Sequence, residues 1–332
     1  MMRWLFDPTG RDASFWLPKG ASSVAAGHDA LFYFILYLST AFFVVIVAAI
    51  VLFVLKYRRR SPEQRTSGLH GNVMLEIVWA VIPAILLIVM FVWGFRQYMD
   101  MSVPPADAIE VRVTAQKWSW TFEYPRDGIS VPKDLVVPVG RPVRLTMSSL
   151  DVIHSFFVPA FRIKKDVLPN RYTMLWFEAT EVGEYDLECA EYCGTAHSQM
   201  LGKIIVKPEN EYNEWIAAGG GMSGEGMSSV AFGARLFSQL GCAVCHSTDG
   251  TKKTGPSVLA KFGSTETFVD GTKALVDDNY VRESLMDPAA KVVVGYEAVM
   301  PTFKGRLSDK QTNALVDYIK SLAPADDGPK EP

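Results

Sequence analysis

Cys189-Ala-Glu-Tyr-Cys193-Gly-Thr-Ala-His197-Ser-Gln-Met200 brings two thiols, an imidazole and a thioether into one short stretch. Such soft donors suit copper rather than magnesium or calcium. The stretch follows Gly183-Glu-Tyr-Asp-Leu-Glu-Cys-Ala190, which reads as the last strand of a β domain, and a further histidine, His154, stands upstream of it. A mononuclear blue-copper site takes one cysteine, two histidines and an axial methionine, so this set has a cysteine too many. Two bridging thiolates let a pair of coppers share one electron with little change in geometry, which suits electron transfer rather than catalysis. The competing uses are a disulfide, common outside the cytoplasm, and a structural zinc, which the Met200 spacing and the β context do not favour.

Upstream of this cluster the pattern is that of strands. Ile109, Val111 and Val113 alternate along one run, and Trp118, Trp120, Phe122 and Tyr124 recur at period two. More short runs follow at 135–139, 144–147, 173–180 and 183–190, separated by turn signals such as Pro138-Val-Gly140. This spacing predicts an all-β sandwich or Greek-key barrel over 100–208.

Before the strands lie two apolar segments. Leu31 to Leu55 contains no charged residue, and Val73 to Phe95 contains one acid, Glu76, and one proline, Pro83. At 1.5 Å per residue each run is long enough to span the roughly 30 Å hydrocarbon layer. Lys56, Arg58, Arg59, Arg60 and Arg65 cluster between them. The positive-inside rule puts this loop in the cytoplasm, and the N-terminus and everything after about Tyr98 on the opposite side. The first helix reads as an uncleaved signal anchor. A 49% hydrophobic content fits membrane residence. The net charge of −3, from 33 basic and 36 acidic residues, excludes a general nucleic-acid binder, which needs a basic surface.

Downstream, Ala217 to Ser229 is rich in glycine and serine and reads as a flexible tether. Gly241-Cys242-Ala-Val-Cys245-His246 then carries Cys-x-x-Cys-His, the attachment signature of c-type haem: two thioether-forming cysteines, and a histidine delivered to the iron. A thioredoxin-like pair is the chemical rival, but no βαβ pattern flanks it and His246 would have no reason to follow. Ser308-Asp-Lys-Gln311 is a capping-box signal before a helix in which Leu315, Tyr318, Ile319 and Leu322 recur at helical spacing.

The order His154, Cys189, Glu191, Cys193, His197, Met200 follows a hairpin bearing Glu76-Ile-Val-Trp-Ala-Val-Ile-Pro83 and a strand Lys117-Trp118-Ser-Trp120-Thr-Phe-Glu-Tyr124. Over roughly residues 25–208 this resembles subunit II of haem-copper cytochrome c oxidases. The resemblance implies a cupredoxin fold in which His154, Cys189, Cys193, His197, Met200 and the Glu191 carbonyl hold the binuclear CuA centre. It implies that the Glu191 side chain reaches a magnesium shared with subunit I, and that Glu76 sits at the mouth of a proton path. Trp118 matches the aromatic that accepts electrons from cytochrome c, and Asp151 an acid of the docking surface. Leu150 stands where the family commonly carries a second acid, so this face is expected to be adapted to the attached domain. The last hundred residues resemble a class I cytochrome c. By that resemblance Met300 is the distal haem ligand, favoured over Met286, which lies inside a predicted helix closed by Pro288. Gly255-Pro256 is then the turn that orients His246.

The expected fold class is a multidomain membrane protein. Residues 1–28 form an N-terminal extracytoplasmic segment, 29–99 a transmembrane hairpin, 100–208 an all-β cupredoxin, 209–229 a linker, 230–324 an all-α cytochrome c and 325–332 a disordered tail. The expected function is the electron-accepting subunit of a terminal oxidase in a bacterial inner membrane. Electrons pass from a covalently bound haem c to CuA and on to subunit I, where oxygen is reduced with proton translocation. Expected partners are subunits I and III, an external cytochrome or respiratory complex as donor, and membrane lipid. The rivals are the small subunit of a CuA-containing nitric oxide reductase and a membrane-tethered copper and haem redox module.

Overall fold

The computed structural model describes residues 12–65, 68, 71–221 and 224–323. The expected tail at 325–332 lies outside the described residues. Helices α1 (Ala25–Tyr57) and α2 (Val73–Ser102) form the hairpin. Asn72 caps α2 by accepting from the Leu75 N–H at 3.2 Å, and Glu76 in the first turn complements the helix dipole. Most of the apolar side chains on both helices are exposed, as spans facing lipid require. The helices touch near the start of α1 and the end of α2, where Phe34 and Trp93 lie with ring centroids 5.6 Å apart.

Ten strands follow in two sheets. The first sheet contains β1 (Ile109–Gln116), β2 (Ser119–Tyr124), β3 (Ile129–Pro132), β5 (Pro142–Ser149) and β8 (Thr173–Glu178), in the order β3-β2-β1-β5-β8. The second contains β4 (Leu135–Pro138), β6 (His154–Val158), β7 (Ile163–Val167), β9 (Gly183–Cys189) and β10 (Leu201–Lys207), in the order β4-β10-β9-β6-β7. The 183–190 run is therefore not the last strand. Leu201 to Lys207 pairs antiparallel with it and returns the chain after the cysteine loop. The core lies between the sheets: Val111, Phe122, Leu145 and Met147 on one side meet Phe156, Leu187 and Ile204 on the other, all but fully buried. Alternation of buried and wetter residues along β5 is the period-two pattern of a half-buried strand.

Two attachments were not legible in the sequence. The segment before α1 adds to the sandwich: Ser22 bridges Ala179 antiparallel, and the Ala21 N–H donates to the Ala160 carbonyl at 2.9 Å. Asp29, in the second turn of α1, meets Arg162 in a buried two-pronged pair at 2.7 and 2.8 Å. The chain after β10 is also more ordered than a tether. Helix α3 (Glu209–Ala217) stacks Trp215 on Tyr212 and edge-on to Tyr124, and Gly220 is buried against Ile129 and Val131.

The C-terminal domain consists of α4 (Ser229–Gln239), the short α5 (Cys242–Cys245), a small hairpin of β11 (Thr265–Thr267) and β12 (Lys273–Leu275), α6 (Asp278–Met286) and α7 (Asp309–Ser321). Ser228 and Asp277 cap α4 and α6, and Ser308 with Gln311 completes the expected capping box on α7. Helices α4 and α7 cross with Phe237 edge-on to Tyr318 at 5.4 Å, and Leu236, Leu285 and Leu315 fill the centre.

Candidate metal and haem centres

The strand ends explain why the copper-type donors meet. β9 delivers Cys189, β6 begins with His154, and the two strands are paired, so a distant histidine is carried to the cysteine loop. The two sulfurs lie 3.8 Å apart, far beyond the roughly 2.05 Å of a disulfide, and both cysteines are free. His154 Nδ1 is 3.9 Å from Cys189 Sγ, and His197 Nδ1 is 3.5 Å from Cys193 Sγ. Met200 Sδ lies 3.8 Å from Cys193 Sγ, and Cys189 Sγ donates to the Glu191 carbonyl at 3.3 Å. All six sequence-expected residues thus surround one point, while the Glu191 side chain is exposed.

Charge at this point is unbalanced in a way that favours a cation. Burial raises the Cys189 thiol, but hydrogen bonds from His154, from the Ser155 backbone and to its neighbours outweigh it and bring it down to about 6. Burial and the adjacent Cys189 thiolate push Cys193 up to about 12. One negative charge is accommodated and a second is resisted; a metal bound there would hold both sulfurs as thiolates. Asp151 acts behind this shell. Its Oδ1 lies 2.8 Å from His154 Nε2, leaving Nδ1 for the metal side. The donor set therefore fits copper.

The second centre is a half-open, largely apolar cleft in the C-terminal domain. Cys242, Cys245, His246 and Met300 all line it, and Met286 does not. His246 Nδ1 lies 2.7 Å from the Pro256 carbonyl, which accepts from it, so Nε2 is the nitrogen left for an iron. Gly255 makes room: a Cβ there would lie 2.7 Å from His246 Cε1. Burial raises the Cys242 thiol to about 12, and it raises Cys245 too. Redox-active Cys-x-x-Cys pairs have depressed pKa values, so these thiols are the wrong kind for a thioredoxin-like role. The cleft fits a haem.

Trp118 stands between the centres. Together with Lys117 and Ser119 it closes one side of the haem cleft. Its ring also lies against Gly194 in the copper loop, where a Cβ would come within 3.2 Å of Trp118 Cζ2. It is 8% exposed. Leu150 gives a correction: it is 64% exposed with the C-terminal domain in place, so that domain does not cover the face it marks. Its neighbour Asp151 is engaged by His154 and by the Lys117 N–H at 2.7 Å. Glu76 is exposed on the first turn of α2, beside the basic connection.

Sequence reasoning missed Asp29, Arg162 and Arg306. An acid at the head of an apolar span was a usable signal for the first, because such residues are costly without a partner.

Hairpin, sandwich and cleft together define a membrane-anchored redox protein with two metal-bearing domains. Three family descriptions match: the transmembrane domain of cytochrome c oxidase subunit II over residues 10–96, its periplasmic domain over 126–208, and cytochrome c over 230–323. The cytochrome c oxidase subunit 2 of Alkalihalophilus pseudofirmus is 31% identical over 287 residues, covering 84% of this chain and 82% of that one. The Bacillus subtilis protein of the same name is 30% identical over 298 residues, covering 81% of each. Among solved structures, the periplasmic domain of the Bradyrhizobium japonicum subunit II is 27% identical with a TM-score of 0.35, covering 36% of this chain and 98% of that one. The chain belongs to the cytochrome c oxidase subunit 2 family, with a cytochrome c domain at its C-terminal end. It is a membrane subunit of an oxidoreductase whose partner is subunit I. Its sandwich is of the CuA type and its last domain of the haem type.

Proposed function

We propose that this subunit receives electrons on a haem c and passes them to CuA and then to subunit I, where oxygen is reduced to water with proton translocation. The observation that carries the reading is the position of Trp118, which lines the haem cleft and packs on the copper loop. Electron tunnelling falls off exponentially with distance, so one aromatic ring bridging both sites favours transfer between them. Cys242 and Cys245 would hold the haem through thioethers, with His246 and Met300 as axial ligands that raise its potential. His154, Cys189, Cys193, His197, Met200 and the Glu191 carbonyl would hold the copper pair. Delocalising one electron over two metals keeps reorganisation small. His154 is fixed for this by Asp151, and the buried sandwich keeps water from the sulfurs.

Other elements take their roles from the same reading. The exposed Glu191 carboxylate would join a magnesium shared with subunit I, and Glu76 would lie at the cytoplasmic mouth of a proton path. The basic loop supports a cytoplasmic connection, which puts the N-terminus and both redox domains on the periplasmic side of a bacterial inner membrane. Subunit III and an external cytochrome or respiratory complex complete the assembly. The units are then 1–28, 29–99, 100–208, 209–229 and 230–324.

The test is to purify the complex through this chain, record its spectra, and measure oxygen and nitric oxide consumption. Oxygen uptake with covalent c-type haem and near-infrared copper bands is the expected result. Nitric oxide turnover without oxygen uptake would overturn the oxidase assignment.

A further inference from the structure

One face of β2 has an unexpected cover. Trp120, Phe122 and Tyr124 point into the sandwich core, so Ser119, Thr121 and Glu123 lie on the outward face of the strand. Outward residues of a sandwich strand are ordinarily wet, yet Thr121 is only 6% exposed. The C-terminal domain covers it. Arg306, on the loop between Met300 and α7, reaches across and donates from Nη2 to Thr121 Oγ1. Nearby, Gly241 backs onto Ser119, where a Cβ would come within 3.7 Å of the serine Cβ. Val244 and Cys245 pack on the rim of the sandwich core.

Arg306 is placed for this contact and not for solvent. Its guanidinium lies 5.7 Å from the centroid of the Phe303 ring, and Phe303 lines the haem cleft. Its Nη1 is buried without a hydrogen-bond partner among the described residues. Burial lowers its pKa, and the attraction of Glu123, on the same face of β2, opposes that. Beside this contact a half-open cleft runs between Trp118, Trp120 and Gln199 of the sandwich and Ser238 and Gln239 of the cytochrome domain. A charge-assisted hydrogen bond is roughly twice as strong as a neutral one, so a single arginine can decide the registry of such a contact.

We propose that Arg306 is a positioning residue for the internal electron step: anchored to Thr121 on the outward face of β2, it holds the haem cleft against Trp118. This rests on the electron path proposed above. In the step it would serve, a bound haem would give up one electron, ferrous becoming ferric, and a bound copper pair would gain it. No bond forms or breaks, and Arg306 exchanges neither electron nor proton. Without the latch the glycine-rich segment would let the cleft drift from Trp118.

The test uses the whole complex, with the haem reduced by a flash-excited ruthenium compound and both centres followed optically. Arg306→Ala should slow haem-to-copper transfer at least tenfold while leaving haem potential, methionine ligation and the copper spectrum unchanged. Arg306→Lys should recover part of the rate. Glu123→Lys, on the sandwich and remote from the haem ligands, should slow transfer as well, and added salt should slow the unsubstituted protein. An unchanged rate in Arg306→Ala overturns the proposal, and so does a slowed rate accompanied by a shifted haem potential. Should Arg306→Ala not take up haem, Glu123→Lys decides the matter, and an unaltered rate there overturns it. No internal transfer in an unsubstituted complex with both cofactors would instead be a failure of the electron path itself.

Discussion

Asp151 Oδ1 lies 2.8 Å from His154 Nε2, so the acid that the sequence places on a docking surface is also braced against a histidine proposed to hold copper. The carboxylate fixes the ring orientation and the tautomer that presents Nδ1 to the metal. Outer partners of this kind are worth ten- to a hundredfold in metal affinity. Asp151→Ala is therefore expected to weaken copper binding by about that factor, measured by competition with a chelator. Asp151→Asn, whose amide oxygen still accepts from Nε2, should lose less.

Gly255 is the close-approach point of the haem side. Because a methyl group there would lie 2.7 Å from His246 Cε1, Gly255→Ala must push the imidazole from the Pro256 carbonyl. The expected outcome is a lowered share of histidine–methionine-ligated haem, read from the optical spectrum of the purified complex, with the copper bands unaffected.

Tyr124 gives the sandwich an alkaline limit. Its buried hydroxyl donates to the Val136 carbonyl at 2.8 Å and accepts from the Val136 N–H at 3.0 Å. Burial raises its pKa well above the ordinary tyrosine value of about 10. The unfolded chain loses this proton near pH 10 while the folded chain keeps it. The contribution is therefore complete below that pH and is lost as pH rises above it. Tyr124→Phe should cost about 1–3 kcal/mol at neutral pH, through the unpaired Val136 groups. It should also show a shallower fall in stability above pH 10, in denaturant titrations compared across that value.

The Asp29–Arg162 pair is almost wholly buried, with side chains 1% and 3% exposed. Removing one partner of a buried pair typically costs about 3–5 kcal/mol, because the other charge is left uncompensated. Asp29→Ala should therefore lower the thermal stability of the detergent-solubilised subunit. Asp29→Leu combined with Arg162→Met should recover much of the loss, since no charge then remains buried.

The sequence disclosed what is local and hid what is distant. The copper loop and the Cys-x-x-Cys-His stretch hold most of their ligands in continuous runs, and the capping box at Ser308 lies within four residues, so all three could be read directly. β7 could not. Its Ile163 and Val167 are buried around three exposed charged residues, which breaks the period-two signal. Asp29 and Arg162 are 133 residues apart, and Arg306 and Thr121 are 185 apart. No pattern within either neighbourhood announces its partner. Leu150 misled because a missing acid was read as adaptation to a neighbour, when the attached domain uses the outward face of β2 instead.

The bridge from Ser22 to Ala179 and the pair from Asp29 to Arg162 can form only when the segment before the first helix and the sandwich are on the same side of the bilayer. That demands an even number of crossings. A chain in which Val73–Ser102 failed to insert would leave Arg162 on the opposite side from Asp29, with its partner and the edge bridge both missing. Insertion of both helices is therefore a condition for closing this edge of the sandwich.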